Sequence, residues 1–349
     1  MSILQALDTD KDLTTLWVGG EGGIEADLVT RANVEYRAIP AAGIHGVGLR
    51  SLPGNILKLM RGTAASRRIL REFKPDVLLF TGGYLAVPMA LAGWRVPSLL
   101  YVPDIEPGMA LKALSRFATR IALTTGTSER YFANKSRLAV TGYPTRAELL
   151  PPNREETRQR LGLHNELPVL LFFGGSKGAR TINRALLAML PQLLGKAQVL
   201  HISGKLDWDE IETNAKALAP DLAKNYHAVP YMHEIGDAFA SADLVISRAG
   251  AATLGEYPLF GLPAILVPYP YAWRYQRVNA EYLVEREAAL MIRDENMSTS
   301  LLKTIEDLLA SPEKLAHMRN AMKGLAQPDA AQNLAALVRK LAGQAGEIS

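Results

Sequence analysis

The feature of this sequence that most constrains its fold is the alternation of short apolar, β-branched runs with longer segments of helical periodicity. Alternation of this kind predicts parallel sheets that are covered on both faces by helices. The runs fall into two series, so the sequence indicates two doubly wound α/β domains. Strands are predicted at residues 14–18, 34–38, 77–80, 98–102, 121–124 and 138–140, and then at 169–173, 198–203, 226–229, 244–246, 264–267 and 290–292.

The length of 349 residues is enough for two domains, each with its own core. Residues 142–154 contain three prolines and no clear periodicity, which is typical of a linker. We therefore expect an N-terminal domain at 1–145, a C-terminal domain at 146–329, and a final helix within 330–349 that returns to the first domain. Ligands of open parallel sheets lie beyond the carboxyl ends of the strands, so a cleft between the two domains is the expected site.

The absence of cysteine excludes disulfides, thiolate catalysis and zinc sites with sulfur ligands, and makes the cytoplasm the expected compartment. Residues 1–12 lack the basic start and long apolar core of a signal peptide. The longest apolar stretches, residues 84–94 and 259–273, are too short or too broken by proline to span a bilayer.

Positive charge is concentrated in one stretch of the first half. Residues 49–74 contain seven basic side chains interleaved with apolar ones, and Glu72 is the only acid among them. A basic amphipathic helix of this kind either lies on an anionic membrane surface or is an ordinary helix with a solvated face. No platform of aromatic and basic residues accompanies the charge, so nucleic acid is not an expected partner.

The segment 247–256 is the first candidate for ligand binding. It follows an apolar run at residues 244–246, and its small side chains would open a helix that a ligand can approach closely. A helix start presents unpaired backbone N–H groups and partial positive charge to a phosphate. Glu256, about one turn in, can accept hydrogen bonds from sugar hydroxyls. Together these features suggest a nucleotide-sugar site.

A second glycine-rich turn, residues 172–180, follows the first strand of the second series. Its glycines allow the backbone to fold around an anion, Ser176 can donate a hydrogen bond, and Lys177 or Arg180 adds charge. The turn fits neither a Walker loop nor the dinucleotide fingerprint, and the turn at residues 19–23 fails the same test. Any one of these turns is as compatible with a structural role as with a functional one.

Residues 174–179, residues 247–256, and Gln276 with Asn279 resemble glycosyltransferase family 28, in particular its members that add N-acetylglucosamine to an undecaprenyl-diphosphate-linked muramyl-pentapeptide. Similar segments occur at residues 22–29, 42–46, 81–84 and 141–146, so the resemblance covers nearly the whole chain. It implies a GT-B fold, in which two Rossmann-like domains face a cleft. It also implies inverting transfer from UDP-N-acetylglucosamine to a polyprenyl-diphosphate-linked acceptor, in peptidoglycan synthesis.

The resemblance also implies where the substrates bind. Uracil would lie against the backbone near Met232, the ribose hydroxyls on Glu256, the diphosphate near Ser176 and Thr253, and the sugar on Gln276, with Arg146 at the cleft. The full set of expected substrate contacts is Asp104, Arg146, Ser176, Met232, Ala251, Ala252, Thr253, Leu254, Gly255, Glu256 and Gln276.

No metal or other cofactor is expected, because helix ends can stabilise the charge of the departing diphosphate. The pairs Asp10 with Asp12 and Asp207 with Asp209 match a metal-binding Asp-x-Asp only in their letters, and we expect them to solvate loops. The six histidines show no metal-ligand spacing and are expected at the surface or satisfied in the core. Gly-x-Ser-x-Gly is absent, so hydrolase chemistry has no support.

The sequence departs from the family pattern in three places. The family opens with a strand and a Gly-Gly-Thr-Gly-Gly-His turn that supplies a candidate base, whereas residues 1–7 resemble the end of the helix that follows. We expect a start codon assigned too late; the alternative is a missing central strand, which would leave backbone donors unpaired. Residues 101–104 replace the usual His-Glu-Gln-Asn, with Asp104 as a candidate base, and Tyr275 replaces a common Gln.

The catalytic base therefore remains unidentified from sequence. The expected protein is a peripheral glycosyltransferase at the cytoplasmic face of the cell membrane. One alternative is a related UDP-sugar transferase with another lipid acceptor such as diacylglycerol, which the altered residues 101–104 permit. A second alternative is a non-catalytic nucleotide-sugar-binding subunit, motivated by the missing first strand.

Overall fold

The computed structural model describes residues 1–7, 13–22, 25–40, 52–175 and 177–345. The chain divides into two compact units: unit 1 is Met1–Pro144 with Asp329–Ser349, and unit 2 is Thr145–Pro328. Several residues singled out from sequence lie outside the described residues, namely Asp10, Asp12, residues 42–46, Arg50 and the predicted phosphate contact Ser176.

Each predicted strand overlaps an observed one, and every strand pairing within the described residues is parallel. The strands are β1 (Leu16–Gly20), β2 (Glu35–Ile39), β3 (Leu78–Phe80), β4 (Ser98–Val102), β5 (Arg120–Leu123), β6 (Leu138–Val140), β7 (Val169–Phe173), β8 (Gln198–Ile202), β9 (Tyr226–Val229), β10 (Leu244–Ser247), β11 (Ala264–Leu266) and β12 (Ala289–Met291). The prediction of two parallel-sheet α/β domains is confirmed.

Helices occupy the connections between strands. They are α1 (Ser2–Leu7), α2 (Glu25–Arg31), α3 (Leu52–Phe73), α4 (Ala86–Ala92), α5 (Met109–Leu114), α6 (Arg154–Arg160), α7 (Arg180–Leu194), α8 (Trp208–Lys216), α9 (Pro220–Ala223), α10 (Ile235–Ser241), α11 (Glu256–Phe260), α12 (Trp273–Val284), α13 (Met297–Leu309), α14 (Pro312–Lys323) and α15 (Ala330–Ala345). None of the helices in the described ranges combines the length and the hydropathy that crossing a membrane requires.

Unit 1 contains a four-stranded sheet in the order β3-β4-β5-β6 and a separate parallel pair, β1-β2. Side chains of β4 alternate between two cores because successive residues of a strand point to opposite faces. Leu99 and Tyr101 pack in one cluster with residues of α1 and α15, while Leu100 and Val102 pack in another with Ile69 of α3. Both faces of the sheet are therefore covered, which explains why its strands are almost uniformly apolar.

Unit 2 contains one six-stranded sheet in the order β12-β11-β10-β7-β8-β9. From β7 the chain proceeds outward through β8 and β9, then returns to the other side of β7 at β10 and proceeds outward again. The order reverses between β7 and β10, and in doubly wound sheets the crevice at such a reversal is where ligands bind. The topology thus points to the carboxyl ends of β7 and β10.

The basic stretch predicted from sequence is largely the 22-residue helix α3. The helix ends at Phe73 because Lys74 adopts a left-handed φ of 49° and Pro75 follows. In its first half Ile56, Leu57 and Met60 are 43%, 48% and 65% exposed, although they lie within about one turn of each other. This helix therefore presents apolar side chains as well as cations to its surroundings.

Candidate active site

A pocket of about 160 Å³ lies at the carboxyl ends of β7, β8 and β9, beside the reversal of strand order. It is lined by Arg146, Phe173, Gly175, Ile202, Pro230, Tyr231, Met232, His233, Ile235 and Glu256. Three residues expected at the site, Arg146, Met232 and Glu256, are brought together here although 110 residues separate the first from the last. All of the lining residues belong to unit 2.

The turn between β7 and α7 owes its glycines to two different causes. A Cβ at Gly174 would lie 2.2 Å from the Ala179 nitrogen, and one at Gly178 would lie 2.1 Å from the Ser203 oxygen, so both positions exclude side chains because backbones approach closely. Gly175 has a left-handed φ of 88° and open space around it, and it lines the pocket. The turn is thus folded tightly against the end of β8 and exposes its backbone to the pocket at Gly175.

The segment after β10 differs from the single helix predicted. Residues Ala251–Leu254 form one 3₁₀ turn, the backbone breaks at Gly255, and α11 begins at Glu256. Glu256 is therefore the first residue of its helix and not a residue one turn inside it. The reason is local: the Thr253 hydroxyl donates to the Gly250 carbonyl at 2.7 Å and tightens the turn.

The Glu256 side chain is half-buried, and its carboxyl group forms no hydrogen bond or ion pair with other residues of the described ranges. Burial raises the pKa of its carboxyl group to about 7, and the positive charge of Arg146 opposes that rise. A half-buried carboxylate without donors is costly in the folded protein. Its oxygens are therefore available to hydroxyl groups of a ligand.

The substrate contacts predicted at residues 251–255, of which Thr253 was expected near the diphosphate, divide into two groups. The Thr253 hydroxyl already donates to Gly250, and Leu254 is a buried core residue with 5% exposure. The Gly255 N–H donates to the Ala252 carbonyl at 3.1 Å. Ala251 and Ala252 open the 3₁₀ turn, so their N–H groups have no acceptor within it. Of this run, the amides of Ala251 and Ala252 are the ones placed to meet an anion.

Gln276 does not line the pocket, and its side chain has a structural task. Its Oε1 accepts from the Ala249 N–H at 3.3 Å and from the Tyr269 N–H at 2.9 Å. Asn279, fully buried one turn later on α12, donates through Nδ2 to the Ala249 carbonyl at 3.2 Å. Helix α12 thereby holds Ala249 from both sides, and Gln276 keeps only its Nε2 hydrogens for a ligand.

Asp104 belongs to unit 1, so it is not part of the pocket that unit 2 forms. It is half-buried two residues beyond β4 and has a polar partner. Nearby, the buried Tyr101 hydroxyl lies 2.9 Å from Thr124 Oγ1, and burial raises the Tyr101 pKa well above its usual range. Tyr101 is therefore a neutral phenol fixed at the strand end.

Sequence reasoning misjudged Asp207, which was expected to solvate a loop. Asp207 is 7% exposed, and its carboxylate accepts from Arg180 Nε at 2.7 Å and from Asn183 Nδ2 at 2.9 Å. Asn183 also contacts His201, a fully buried histidine whose pKa burial lowers to about 3. Asp207 therefore anchors the start of α7, a contact that becomes evident only once both segments are folded. Within the described ranges no cluster of His, Asp and Glu is arranged to hold a metal ion.

Sequence reasoning also missed two residues that shape the β10 end. Tyr257, 2% exposed, donates through its hydroxyl to Ser247 Oγ at 2.8 Å and ties α11 to the strand. Arg248 forms an ion pair with Asp294, with both side chains largely buried. An arginine inside an otherwise small-residue segment was the available signal for the second of these.

A six-stranded doubly wound sheet with a pocket beside the reversal of strand order is the arrangement in which α/β proteins typically bind nucleotides. The exposed backbone of Gly175 and the Glu256 carboxylate both line this pocket. The profile of the glycosyltransferase family 28 C-terminal domain matches residues 169–334, and that of the family 28 N-terminal domain matches residues 1–123. The chain belongs to glycosyltransferase family 28, and the resemblance stated from sequence is confirmed.

Relatives with assigned names support the same family. The UDP-N-acetylglucosamine--N-acetylmuramyl-(pentapeptide) pyrophosphoryl-undecaprenol N-acetylglucosamine transferase of Roseiflexus sp. (strain RS-1) is 38% identical, over 94% of this chain and 84% of the relative. The protein of the same name from Desulforudis audaxviator (strain MP104C) is 37% identical, over 95% of this chain and 91% of the relative.

Solved structures agree. The crystal structure of Acinetobacter baumannii MurG matches with a TM-score of 0.75 and 26% identity, over 97% of this chain and 94% of that one. A UDP-GlcNAc 2-epimerase from Neisseria meningitidis, solved with UDP-GlcNAc bound, matches with a TM-score of 0.66 at 12% identity, over 97% and 95% of the two chains, and is similar in fold alone. The GT-B fold predicted from the resemblance is confirmed.

Proposed function

We propose that this protein transfers N-acetylglucosamine from UDP-N-acetylglucosamine to an undecaprenyl-diphosphate-linked muramyl-pentapeptide, with inversion at the anomeric carbon, in peptidoglycan synthesis. The observation that carries the proposal is Glu256, a half-buried carboxylate without internal partners in a pocket at the reversal point of a family 28 C-terminal domain. The names of relatives at 32% to 38% identity supply the substrates.

Unit 2 is the proposed donor domain. Uracil would enter the pocket beside Pro230, Tyr231 and Met232, where the backbone after β9 can pair with its polar edge. The ribose hydroxyls would then donate to Glu256 across the same pocket. Hydrogen bonds to an ionised carboxylate are the strong ones, so this contact would provide much of the affinity for the nucleoside.

The diphosphate would extend from the ribose toward the strand ends. The amide groups of Ala251 and Ala252, with Ser176 in the neighbouring turn, are the proposed donors, and Arg146 would supply a full positive charge. The Gln276 Nε2 hydrogens, left over from its two backbone contacts, would donate to an oxygen of the sugar. These groups would stabilise negative charge where it develops as UDP departs.

In the proposed reaction an acceptor hydroxyl forms a bond to the anomeric carbon from the face opposite UDP. The bond between that carbon and the phosphate oxygen breaks, and UDP leaves with the electron pair. The hydroxyl proton goes to a general base. Asp104, half-buried at the carboxyl end of β4 in unit 1, is the candidate for that base among the described residues.

Unit 1 is the proposed acceptor and membrane-facing domain, at the cytoplasmic face. The support is the first half of α3, where exposed Ile56, Leu57 and Met60 alternate with Lys58 and Arg61. Exposed apolar side chains among cations suit a surface of anionic lipid, because both burial of apolar area and charge attraction favour binding there.

Purified protein with radiolabelled UDP-N-acetylglucosamine and a panel of lipids tests the proposal. We expect label to appear in the muramyl-pentapeptide lipid and not in diacylglycerol, with an anomeric configuration opposite to that of the donor. Transfer to diacylglycerol alone would show that the acceptor is another lipid than the one proposed. Binding of UDP with no transfer to any lipid would favour a non-catalytic subunit.

A further inference from the structure

Arg248 lies directly after β10, immediately before the residues that lead to the 3₁₀ turn and Glu256. Its side chain is 11% exposed and forms an ion pair with Asp294, which is 14% exposed. Its Nη2 donates to Thr181 Oγ1 at 2.6 Å, and the Thr181 hydroxyl in turn donates to Asp294 Oδ1 at 2.9 Å. The three side chains therefore form a closed ring of hydrogen bonds, called the Arg248 ring below.

The three members come from three separate segments. Arg248 follows β10, Thr181 is the second residue of α7, and Asp294 follows β12. Arg248 Nη1 also donates to the Val267 carbonyl at 3.1 Å, just beyond β11. The Arg248 ring and the contact with Val267 together link the segments that follow β7, β10, β11 and β12, at the carboxyl edge of the unit 2 sheet.

Two of the linked turns frame the donor pocket. The turn before α7 contributes Gly175, and the segment after Arg248 leads to Glu256. Gln276 also stabilises the segment after β10, because its Oε1 accepts hydrogen bonds from both the Ala249 and the Tyr269 N–H groups. The Arg248 guanidinium lies 5.3 Å from the centre of the Tyr269 ring. Arg248 and Gln276 therefore contact the same two loops, the one after β10 and the one after β11.

An ion pair with so little exposure adds little net stability, since both charges lose their hydration. Its contribution is geometric: the planar guanidinium has fixed N–H directions and can satisfy Asp294, Thr181 and Val267 only in one arrangement of the loops. A lysine would keep the charge but has a single flexible ammonium group.

We propose that Arg248 is a positioning residue of the donor site, which through the Arg248 ring holds the β7–α7 turn and the residues leading to Glu256 in the arrangement that receives the diphosphate and ribose. Arg248 does not line the pocket, so it acts through the loops it joins. The inference rests on the proposed function, since it concerns the UDP-sugar site.

The test compares UDP binding and donor kinetics in Arg248→Lys and Thr181→Val. We expect Arg248→Lys to weaken UDP binding about tenfold and to raise the donor KM similarly, with kcat at saturating donor changed less than about threefold, because loop placement is lost before chemistry. Thr181→Val opens the ring while preserving its shape and charge, and should weaken binding about threefold by the same reasoning.

Arg184→Lys is the matched control, because Arg184 is a 62% exposed residue on the same helix as Thr181 whose ion-pair partner among the described residues is the surface residue Glu210. Its UDP affinity should equal that of the unaltered protein. Thermal unfolding of every variant separates loss of fold from loss of placement, and if Arg248→Lys does not fold, Thr181→Val decides.

Unchanged UDP affinity in a folded Arg248→Lys or in Thr181→Val would overturn the positioning role, as would an equal loss in Arg184→Lys. Failure of the unaltered protein to bind UDP would instead overturn the proposed function. The two failures are therefore distinguishable.

Discussion

The strand ends of the two units are built from the same strand–helix alternation, but they are held differently. In unit 2 the turns after β7, β10, β11 and β12 are joined by Arg248, and Gln276 and Asn279 of α12 fix Ala249 on both sides. In unit 1 the described strands form a four-stranded sheet and a separate pair. The turn after β3 contains Gly82 and Gly83, with φ of 116° and 82°, and no backbone closely packed against either.

The two units also differ in how their positively charged side chains are paired. Cations of unit 2 near the sheet are paired internally, as when Arg154, Arg158 and Arg319 surround Asp243. On α3 of unit 1 the exposed Arg68 pairs with Glu72, whereas Arg67 and Arg71 are exposed and form no ion pair within the described residues. A rigid, internally satisfied edge suits recognition of a small charged ligand, and a solvated basic face suits a diffuse anionic surface. The difference agrees with the proposal that unit 2 binds the UDP-sugar and that unit 1 faces the membrane.

The strongest test of the unit 2 half of this comparison is Glu256→Ala. Loss of charge-assisted contacts to the ribose should reduce UDP binding by about 1.5 to 3 kcal/mol, with little effect on folding. Titration calorimetry with UDP measures the change. Glu234→Ala is the control, because Glu234 is an exposed acid next to the pocket residue His233. Equal affinity in Glu256→Ala and the unaltered protein would contradict the ribose contact.

Substitution of Arg67, Arg68 and Arg71 by Gln tests whether the basic face of α3 in unit 1 binds an anionic membrane surface. Each unpaired cation near an anionic bilayer contributes about 1 kcal/mol at low salt, and Arg68 should contribute less because Glu72 pairs with it. We expect the free energy of binding to anionic liposomes, measured by sedimentation, to weaken by about 2 kcal/mol, while UDP affinity is unchanged. Undiminished sedimentation would leave these residues as ordinary surface charge.

Titration of Glu256 gives the unit 2 site a pH dependence. In the proposed complex the ribose hydroxyls donate to the ionised Glu256 carboxylate, so UDP affinity should rise about tenfold per pH unit below 7 and level off above it. Glu256→Gln should remove the dependence. Calorimetry between pH 5.5 and pH 8.5, values chosen to lie roughly on either side of that pKa, measures both. A flat profile in the unaltered protein would show that the carboxylate does not bind ribose.

The same pKa bears on folding. It is about 7 in the folded protein against 4.5 ordinarily, so the folded state holds the proton more tightly. The resulting stability is complete below pH 4.5 and is lost as the pH rises through 7. At pH 8 the uncharged Glu256→Gln should therefore be more stable than the unaltered protein by about 1 to 2 kcal/mol in free energy of unfolding, after allowance for solvent screening. Its thermal unfolding temperature should be higher accordingly. An equal or lower unfolding temperature would contradict the burial argument.

The smallest effect is expected from Gln276→Glu. A carboxylate preserves the acceptor for the Ala249 and Tyr269 N–H groups but removes the Nε2 hydrogens. Affinity for UDP-N-acetylglucosamine should fall by about 1 kcal/mol while affinity for UDP stays the same, since one neutral hydrogen bond to the sugar is lost. A matching loss for both ligands would assign Gln276 a purely structural role.

Strand positions were predictable because a strand buried on both faces needs a short, uniformly apolar run, as β4 and β7 show. The position of Glu256 in the pocket was predictable, because an acid that follows a run of small residues beyond an apolar strand is rarely buried in a core. Its proposed contact with ribose stays a prediction. The 3₁₀ turn at Ala251–Leu254 was not predictable, because small residues allow several turn geometries and Thr253 selects among them by a hydrogen bond.

The sequence by itself determined the two parallel-sheet domains, the family, and the positions of Glu256 and of the glycines in the turns after β7 and β10. Burial periodicity and backbone freedom are properties of residues close together in the chain. Only the tertiary structure decided that Asp207 anchors Arg180, that Gln276 holds Ala249 and Tyr269, and that Arg248 joins Thr181 to Asp294. Tyr269 lies seven residues before Gln276, but the other partners lie 27 to 113 residues apart, and no local pattern fixes which polar groups meet when strands assemble.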